Sequence, residues 1–523
     1  MNNAIVVMFD SLQYNYLGCY GNEWIKTPNF DRFAREGVLF ENCYVEGLPT
    51  VPARRAMHTG RYTLHKAGWV ALSMEDTTIA DLCWGRPIDT ALVFDCPNYR
   101  LPKFGYTRGF DKVWFTHGQE GDHMFYAQDR LYLDPKDFVE QHQLEDADRL
   151  VGGNVIAPLL DEISGFLKEH QYWRSDEDCY VARTISKAIE YLEQVDRNKQ
   201  FFLWVDSFDP HEPWDPPSVF MGFPCPYDPD YKGKDLFTPI MGPVKDLYTE
   251  EELHHVRMLY AEMVTMCDKW FGILLDAIHR LGFEENTLVL QVSDHGEPMG
   301  NGEHGHGIMR KCRPWPYEEL AHAPMMMRGP GLPAGKRIKS FVQSCDVAPT
   351  VCDWLGIGVH PDMQGKSLLP LARGEVDKVR DFAIAGYCNF SWAIYTEKWS
   401  YIHWLNRADN QSQDDTIHGM YMHGVEEAIG DSIKVDDPML SASMKGRSAI
   451  NDEQRKLQEA ASLDGEAQWT CTPGSVAEVP EQDELYDRTT DPFQLHNVAD
   501  KHPDVCRDML KQLRLFMEEL RAS

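Results

Sequence analysis

Three short apolar runs, each closed by an acid, constrain the fold more than any other feature of this 523-residue chain. Residues 4–9 lead into Asp10, residues 201–205 into Asp206, and residues 287–292 into Ser293-Asp294-His295. A run that is apolar at nearly every position reads as a parallel strand covered on both faces. The covering helices are legible between the strands. Residues 27–37 read as a turn and a short helix stopped by Gly37, and 51–60 as a helix with Pro52 in its first turn. Residues 178–195 and 250–281 read as longer helices, and further strands are expected at 38–44, at 324–328 and after Ile338. This alternation specifies an α/β fold, a mostly parallel central sheet flanked by helices. Ligands of such sheets bind at the carboxyl ends of the strands, where the three acids stand.

The texture changes after about residue 371. Residues 381–405 are rich in aromatic and β-forming types, and 407–480 are polar and irregular, with least order expected over 430–480. A last helix is expected over 502–519. The expected division is a catalytic α/β domain, 1–375, and a smaller C-terminal α+β subdomain, 376–523, holding a short antiparallel sheet and the terminal helix. The net charge of −31 excludes a general nucleic-acid binder, which needs a basic face. It is compatible with a small anionic substrate where a metal or a few local cations reverse the field in a cleft. The 13 cysteines contain no C-x-x-C pair, so neither a zinc ribbon nor a disulfide framework is implied. No run reaches the ~18 apolar residues of a membrane span. The chain enters its first strand at once, without the basic segment and small-residue cleavage site of a secretory signal. The expectation is a reduced, cytoplasmic enzyme with no membrane or nucleic-acid partner, and a symmetric homo-oligomer is the default assembly.

Asp10, Asp294 and His295 can supply two oxygen ligands and one nitrogen ligand to a single divalent cation. Thr50 stands at a helix entrance, where free N–H groups and the dipole favour an anion. A metal beside its hydroxyl lowers the hydroxyl pKa and makes an alkoxide nucleophile available near neutral pH. Arg54, one helical turn on, is placed to orient Thr50 or to neutralise an oxyanion. Each residue alone has a plainer reading, since Asp closes turns, Thr caps helices and Arg pairs on surfaces.

Together these residues resemble the sulfatase branch of the alkaline phosphatase superfamily. The resemblance runs from Asp10 through Leu17-Gly18-Cys19-Tyr20-Gly21, Thr27-Pro28-Asn29-Phe30-Asp31, Thr50-Val51-Pro52-Ala53-Arg54 and His58-Thr59-Gly60-Arg61. It continues in Asp209-Pro210-His211-Glu212-Pro213, Ser293-Asp294-His295-Gly296-Glu297, Arg328-Gly329-Pro330-Gly331 and Gly365-Lys366-Ser367-Leu368-Leu369-Pro370. Near the end, Glu484-Leu485-Tyr486-Asp487, Asp491-Pro492 and Asn497-Val498-Ala499 resemble the family's C-terminal part. The resemblance implies the family fold, a metal at Asp10, Asp294, His295 and Thr50, and a small anionic ester as substrate. It implies His211 as leaving-group acid or oxygen contact; a buried His bonded to backbone is the plainer reading there. Lys311 falls where the family keeps an active-site Lys, with Arg310 the competing choice because 312–316 look like extra sequence.

The departures matter as much. Sulfatases place Cys or Ser at the first position of C/S-x-P-x-R and oxidise it to formylglycine; Thr50 cannot become that aldehyde because its Cβ carries a methyl group. Thr is the nucleophile in phosphoryl-transferring members of the superfamily. Ser11 stands where many sulfatases have a second Asp, which resembles phosphonate monoester hydrolases and suggests Mn2+ or Zn2+ over Ca2+. Asp95 falls where sulfatases carry Gly-Lys-Trp-His. A second metal would need Asp95 with His304 and His306, but the Asp-x-x-x-His pair of bimetallic members is not found, so one metal is expected. The expected function is a metal-dependent hydrolase of phosphate diesters or phosphonate monoesters, with a Thr50 nucleophile, a covalent phospho-enzyme and no formylglycine. The alternatives are a sulfatase acting without formylglycine and an inactive sulfatase homologue.

Overall fold

The computed structural model of the protein describes residues 2–99, 104–119, 122, 130–150, 155–301, 305–311, 314–388, 390–405, 480 and 482–522. Its strands are β1 (Asn3–Phe9), β2 (Val38–Tyr44), β3 (Ile88–Phe94), β4 (Lys112–Phe115), β5 (Gln200–Ser207), β6 (Gly242–Pro243), β7 (Thr287–Ser293), β8 (Met299–Gly300), β9 (Ile308–Met309), β10 (Met325–Arg328) and β11 (Lys336–Gln343). Eight of them form the main sheet, in the order β11-β2-β10-β7-β1-β5-β3-β4. Neighbours pair in parallel except at β10, which runs antiparallel to both β2 and β7. The mostly parallel sheet read from the apolar runs is therefore present, with one reversed strand.

Both faces are covered, which is why β1 and β7 are buried at every position. Along β1 the side chains alternate between two cores. Ile5, Val7 and Phe9 join a core with the helices Tyr180–Gln194 and Glu250–Arg280. Ala4, Val6 and Met8 join another with α2 (Thr50–Thr59) and the helix Val347–Leu355. Helix α2 starts at Thr50, one residue earlier than read, so Pro52 is its third residue and still loses no intrahelical bond.

A second, antiparallel sheet follows: β12 (Ala383–Tyr387), β13 (Ser391–Tyr395), β14 (Trp399–Trp404) and β15 (Glu484–Asp487), in that order. Met509, Leu513 and Met517 of the last helix, Pro503–Ala522, pack on one side of it. The other side shares a core with Leu48 and Ala53, either side of the start of α2. The Leu48 N–H donates to the Gly386 carbonyl at 2.9 Å, so this sheet braces the segment that delivers Thr50. Nearly all of 407–480, including the part expected to be least ordered, lies outside the described residues. None of the described cysteines is in a disulfide, and no described helix is long and apolar enough to cross a membrane.

Helix α1 (Pro28–Glu36) shows how distant parts are tied. Its first turn gains no cap from Thr27. Instead Asp268, on the helix Glu250–Arg280, accepts the N–H groups of Asn29 and Phe30 at 2.9 and 2.8 Å and the Asn29 side-chain amide at 2.9 Å. Asp268→Ala leaves those donors unpaired and is expected to lower stability by about 2 kcal/mol. The reading is the urea midpoint at constant m; an unmoved midpoint means the cap is not made.

Candidate active site

Strand register brings the three acids together. Met8 pairs with Asp206, and Phe9 pairs with both Ser207 and Ser293. Asp10 and Asp294, each one residue past its strand, therefore lie side by side, with Asp206 at the end of the neighbouring strand. Ligand atoms of Asp10, Asp294 and His295 lie within 4.8 Å of one another, the one such group of three among the described residues. The turn after β1 aims them. Ser11 has a left-handed φ of 58°, a conformation costing a non-glycine residue about 1–2 kcal/mol. In return its N–H reaches Asp294 Oδ1 at 3.1 Å and its hydroxyl donates to Asp10 Oδ1 at 2.8 Å. Tyr260 donates its hydroxyl to the Ser11 carbonyl at 2.6 Å.

The hydrogen bonds of His295 define its tautomer. Nδ1 donates to the Gly296 carbonyl at 2.6 Å, so Nε2 carries the lone pair. That lone pair accepts from the Thr50 hydroxyl at 3.2 Å and lies 3.8 and 3.6 Å from Asp10 and Asp294. Burial lowers the His295 pKa to about 3, so the ring is neutral. Hydroxyl, imidazole and both carboxylates thus converge on one point. Behind Thr50, buried Glu46 accepts the N–H and hydroxyl of Thr63 at 2.8 and 2.7 Å and the Leu64 N–H at 3.0 Å. It ties the chain leading into α2 to the chain leaving it.

Arg54 is fully buried among the acids. It donates to Asp206 through Nε at 3.3 Å and Nη2 at 2.9 Å, bonds Asp294 through Nη1, and places Nη2 2.9 Å from Asp10 Oδ2. Tyr99 donates to Asp206 in turn. Its oxygen faces His58 Nε2 at 3.0 Å, and His58 stacks on Trp204 with ring centres 3.9 Å apart. Burial alone would raise the Asp10 pKa, but its surroundings, Arg54 foremost, outweigh it and hold the carboxyl well below the usual range. Burial, with Asp10 beside it, pushes Asp294 well above that range. One guanidinium against three carboxylates leaves this point short of positive charge. Asp10 Oδ2 is buried without a hydrogen bond of proper geometry. An oxygen, oxygen, nitrogen donor set with an orphaned carboxylate oxygen fits a divalent cation.

The other wall is cationic. Lys311 Nζ donates to His211 Nε2 and lies 3.2 and 3.3 Å from the Glu212 carboxylate oxygens. His211 Nδ1 donates to the Glu212 carbonyl, so both nitrogens of that ring are engaged. Arg310 also turns to Glu212, at 2.6 Å from Nε. Between the two cations flagged by the sequence, Lys311 is therefore the one beside His211. Burial lowers the Lys311 pKa, but Glu212, Glu297 and Asp10 more than offset it and the ammonium is kept charged.

The residues matched by known families are now informative. A family model described as "Sulfatase" matches residues 2–357. The chain belongs to the sulfatase family. A second model, described as "N-sulphoglucosamine sulphohydrolase, C-terminal", matches residues 302–418. Among curated relatives of this sulfatase-family chain, an arylsulfatase of Clostridium perfringens is 26% identical over 455 residues, covering 79% of this chain and 87% of the relative. A multifunctional alkaline phosphatase superfamily protein of Trinickia caryophylli is 27% identical over 428 residues, covering 71% and 77%. In fold, the chain is similar to the phosphonate monoester hydrolase of Agrobacterium radiobacter, with a TM-score of 0.62, 19% identity and coverage of 100% and 96%. Sulfatase-family membership makes the protein an ester-bond hydrolase.

Of the residues weighed for a second metal site, Asp95 and His306 belong to no metal-binding group among the described residues. Asp95 is buried and accepts from the Phe208 N–H and the Thr184 hydroxyl at 2.5 and 3.1 Å. His306 lies between Glu319 and the Gln494 carbonyl, 3.0 Å from each, and stacks on Tyr317. The two have no partner in common, and His304 lies outside the described residues. Conversely, motif reading gave no role to Asp206, Glu212 or Glu46. Asp206 could have been found, because it closes an apolar run as Asp10 does. Glu212 and Glu46 are signalled only by partners 99 and 17 residues away.

Two measurements follow. Mn2+ at a large excess over its Kd should raise the melting temperature of chelator-stripped protein by about 5 °C, and Asp294→Asn should lose most of that gain. No shift in the wild type would sink the metal site. Burial also raises Glu46 from 4.5 to about 7. Its folded value exceeds the unfolded one, so its stabilisation is complete below about pH 4.5 and is lost as pH rises through about 7. Glu46→Gln should therefore gain about 3 kcal/mol relative to wild type between pH 4.5 and 8. A difference in unfolding free energy that stays flat with pH contradicts this.

Proposed function

We propose that the protein hydrolyses phosphate diesters or phosphonate monoesters through a Thr50 nucleophile. One observation carries the reading. The hydroxyl of Thr50, a residue that cannot be converted to formylglycine, lies 3.2 Å from the His295 lone pair where Asp10 and Asp294 converge. Asp10, Asp294 and His295, with Thr50, would hold one divalent cation, and their mixed oxygen and nitrogen donors suit Mn2+ or Zn2+. Bound there, it would supply Lewis-acid chemistry, easing ionisation of the Thr50 hydroxyl and offsetting charge on the ester oxygens.

The chain's own residues do the rest. Thr50 Oγ1 attacks phosphorus opposite the departing alcohol, the phosphorus–oxygen bond to that alcohol breaks, and phosphothreonine forms. The departing oxygen takes its proton from Lys311 Nζ. His211 is not the donor, because Nδ1 serves the Glu212 carbonyl and Nε2 accepts from Lys311. Water then attacks phosphorus and passes a proton to the now neutral Lys311 Nζ, the bond to Oγ1 breaks, Oγ1 leaves as the alkoxide that attacked, and the phosphoryl product is released. Arg54 spends most of its donors on Asp206, Asp294 and Asp10, so its part is to hold the acids aligned.

Likeness to the Clostridium perfringens arylsulfatase favours a second reading, a sulfatase acting without formylglycine. A panel of 4-nitrophenyl sulfate, phosphate monoester, phosphodiester and phenylphosphonate with added Mn2+ or Zn2+ separates them. The expected order of kcat/KM puts the phosphonate or diester first, and Thr50→Ala should lose about 1,000-fold or more on it. Highest kcat/KM on the sulfate, or full turnover by Thr50→Ala, overturns the proposal.

A further inference from the structure

Glu212 is the point on which the cationic wall is hung. It is 3% exposed, in the segment after β5. Its carboxylate takes Arg310 through Nε at 2.6 Å and through Nη2, and faces Lys311 Nζ at 3.2 and 3.3 Å. Its carbonyl takes the His211 Nδ1 proton. Arg310 has a left-handed φ of 66°, and with the chain so turned the consecutive residues 310 and 311 reach one carboxylate. A neutral imidazole has one donor and one acceptor nitrogen, while an ammonium only donates. With Nδ1 committed to a carbonyl, Nε2 must accept from Lys311. Lys311 Nζ also lies 3.9 Å from Glu297, two residues past His295, and its charge strengthens the acidity of Asp10, which places this arrangement beside the reacting point.

We propose that Glu212 is a positioning residue that keeps Lys311 charged and aimed at His211 Nε2 and, through its carbonyl and a carboxylate oxygen 3.3 Å from Nδ1, keeps the His211 proton on Nδ1, leaving Lys311 to protonate the departing oxygen. This role deepens the hydrolase reading above and rests on it. Physically, a buried ammonium next to the Arg310 guanidinium needs a carboxylate partner to stay both charged and in place.

Two experiments on the full chain decide it. In wild type with 15N-labelled histidine, two-bond proton–nitrogen spectra, assigned with His211→Gln, should show at pH 7 a neutral His211 protonated on Nδ1. An imidazolium, or a proton on Nε2, overturns the proposal whether or not any ester is turned over. The second is kinetic, on metal-loaded enzyme with phenylphosphonate monoesters of ethanol and of 4-nitrophenol. Glu212→Gln should lose about 100-fold in kcat on the ethyl ester, whose leaving group needs a proton, and under about 5-fold on the 4-nitrophenyl ester, with KM unchanged. Glu212→Asp should recover part of the ethyl-ester rate, and Glu212→Gln with Lys311→Met should be no slower than Lys311→Met alone. Equal losses on both esters, or losses that multiply in the double variant, mean a structural role and overturn the proposal. If Glu212→Gln does not fold, Lys311→Met must shift the His211 Nε2 resonance and leave Nδ1 protonated; an unmoved resonance overturns it. Absence of turnover on every ester instead defeats the hydrolase reading, while the His211 spectrum still stands as the test here.

Discussion

The buried contact between Arg54 and three strand-end carboxylates governs this structure. Breaking one partner out of a buried ion cluster costs about 3–5 kcal/mol, because the remaining charges stay in a medium that cannot solvate them. The sheet order β7-β1-β5 exists in the neighbourhood of that guanidinium as a device for placing Asp294, Asp10 and Asp206 around it. Helix α2 is positioned from both ends by the same requirement. Arg54 must reach the acids, and Thr50, one turn earlier, then meets His295.

Three acids and one guanidinium are still unbalanced, and the imbalance is local. It sits at the one point where a hydroxyl, an imidazole lone pair and two carboxylates meet. The opposite wall answers with Lys311 and Arg310, both secured to Glu212. The anionic ester proposed as substrate would meet positive charge there from the ammonium and from any cation held by the acids, despite a net charge of −31 on the chain. The acidic surplus of the whole protein therefore says nothing about the sign of the site.

Parts of this were legible in the residues alone, for a physical reason. Asp10 and Asp294 close runs so apolar that they had to be covered strands, and a polar group after such a strand emerges where parallel sheets bind ligands. Thr50 and Arg54 are one turn apart on one helix, a relation that needs no tertiary information. Asp95 shows the opposite case. It too closes a strand, β3, yet it faces the Phe208 N–H and Thr184, because the helix Tyr180–Gln194 covers that strand end. His306 was equally undecidable, since its partners Glu319 and Gln494 come from distant segments.

The amino-acid sequence by itself determined the sheet, the helices that cover it, the acid at each strand end and the absence of an oxidisable nucleophile at position 50. Those follow from periodicity, strand length and the chemistry of single side chains. Only the tertiary structure decided which acids share a point, that Lys311 rather than Arg310 stands beside His211, that His211 has no nitrogen free, and that Glu212 holds the wall together. Such choices depend on register and on left-handed turns at Ser11 and Arg310, where a rotation of one residue sends a side chain to a different partner.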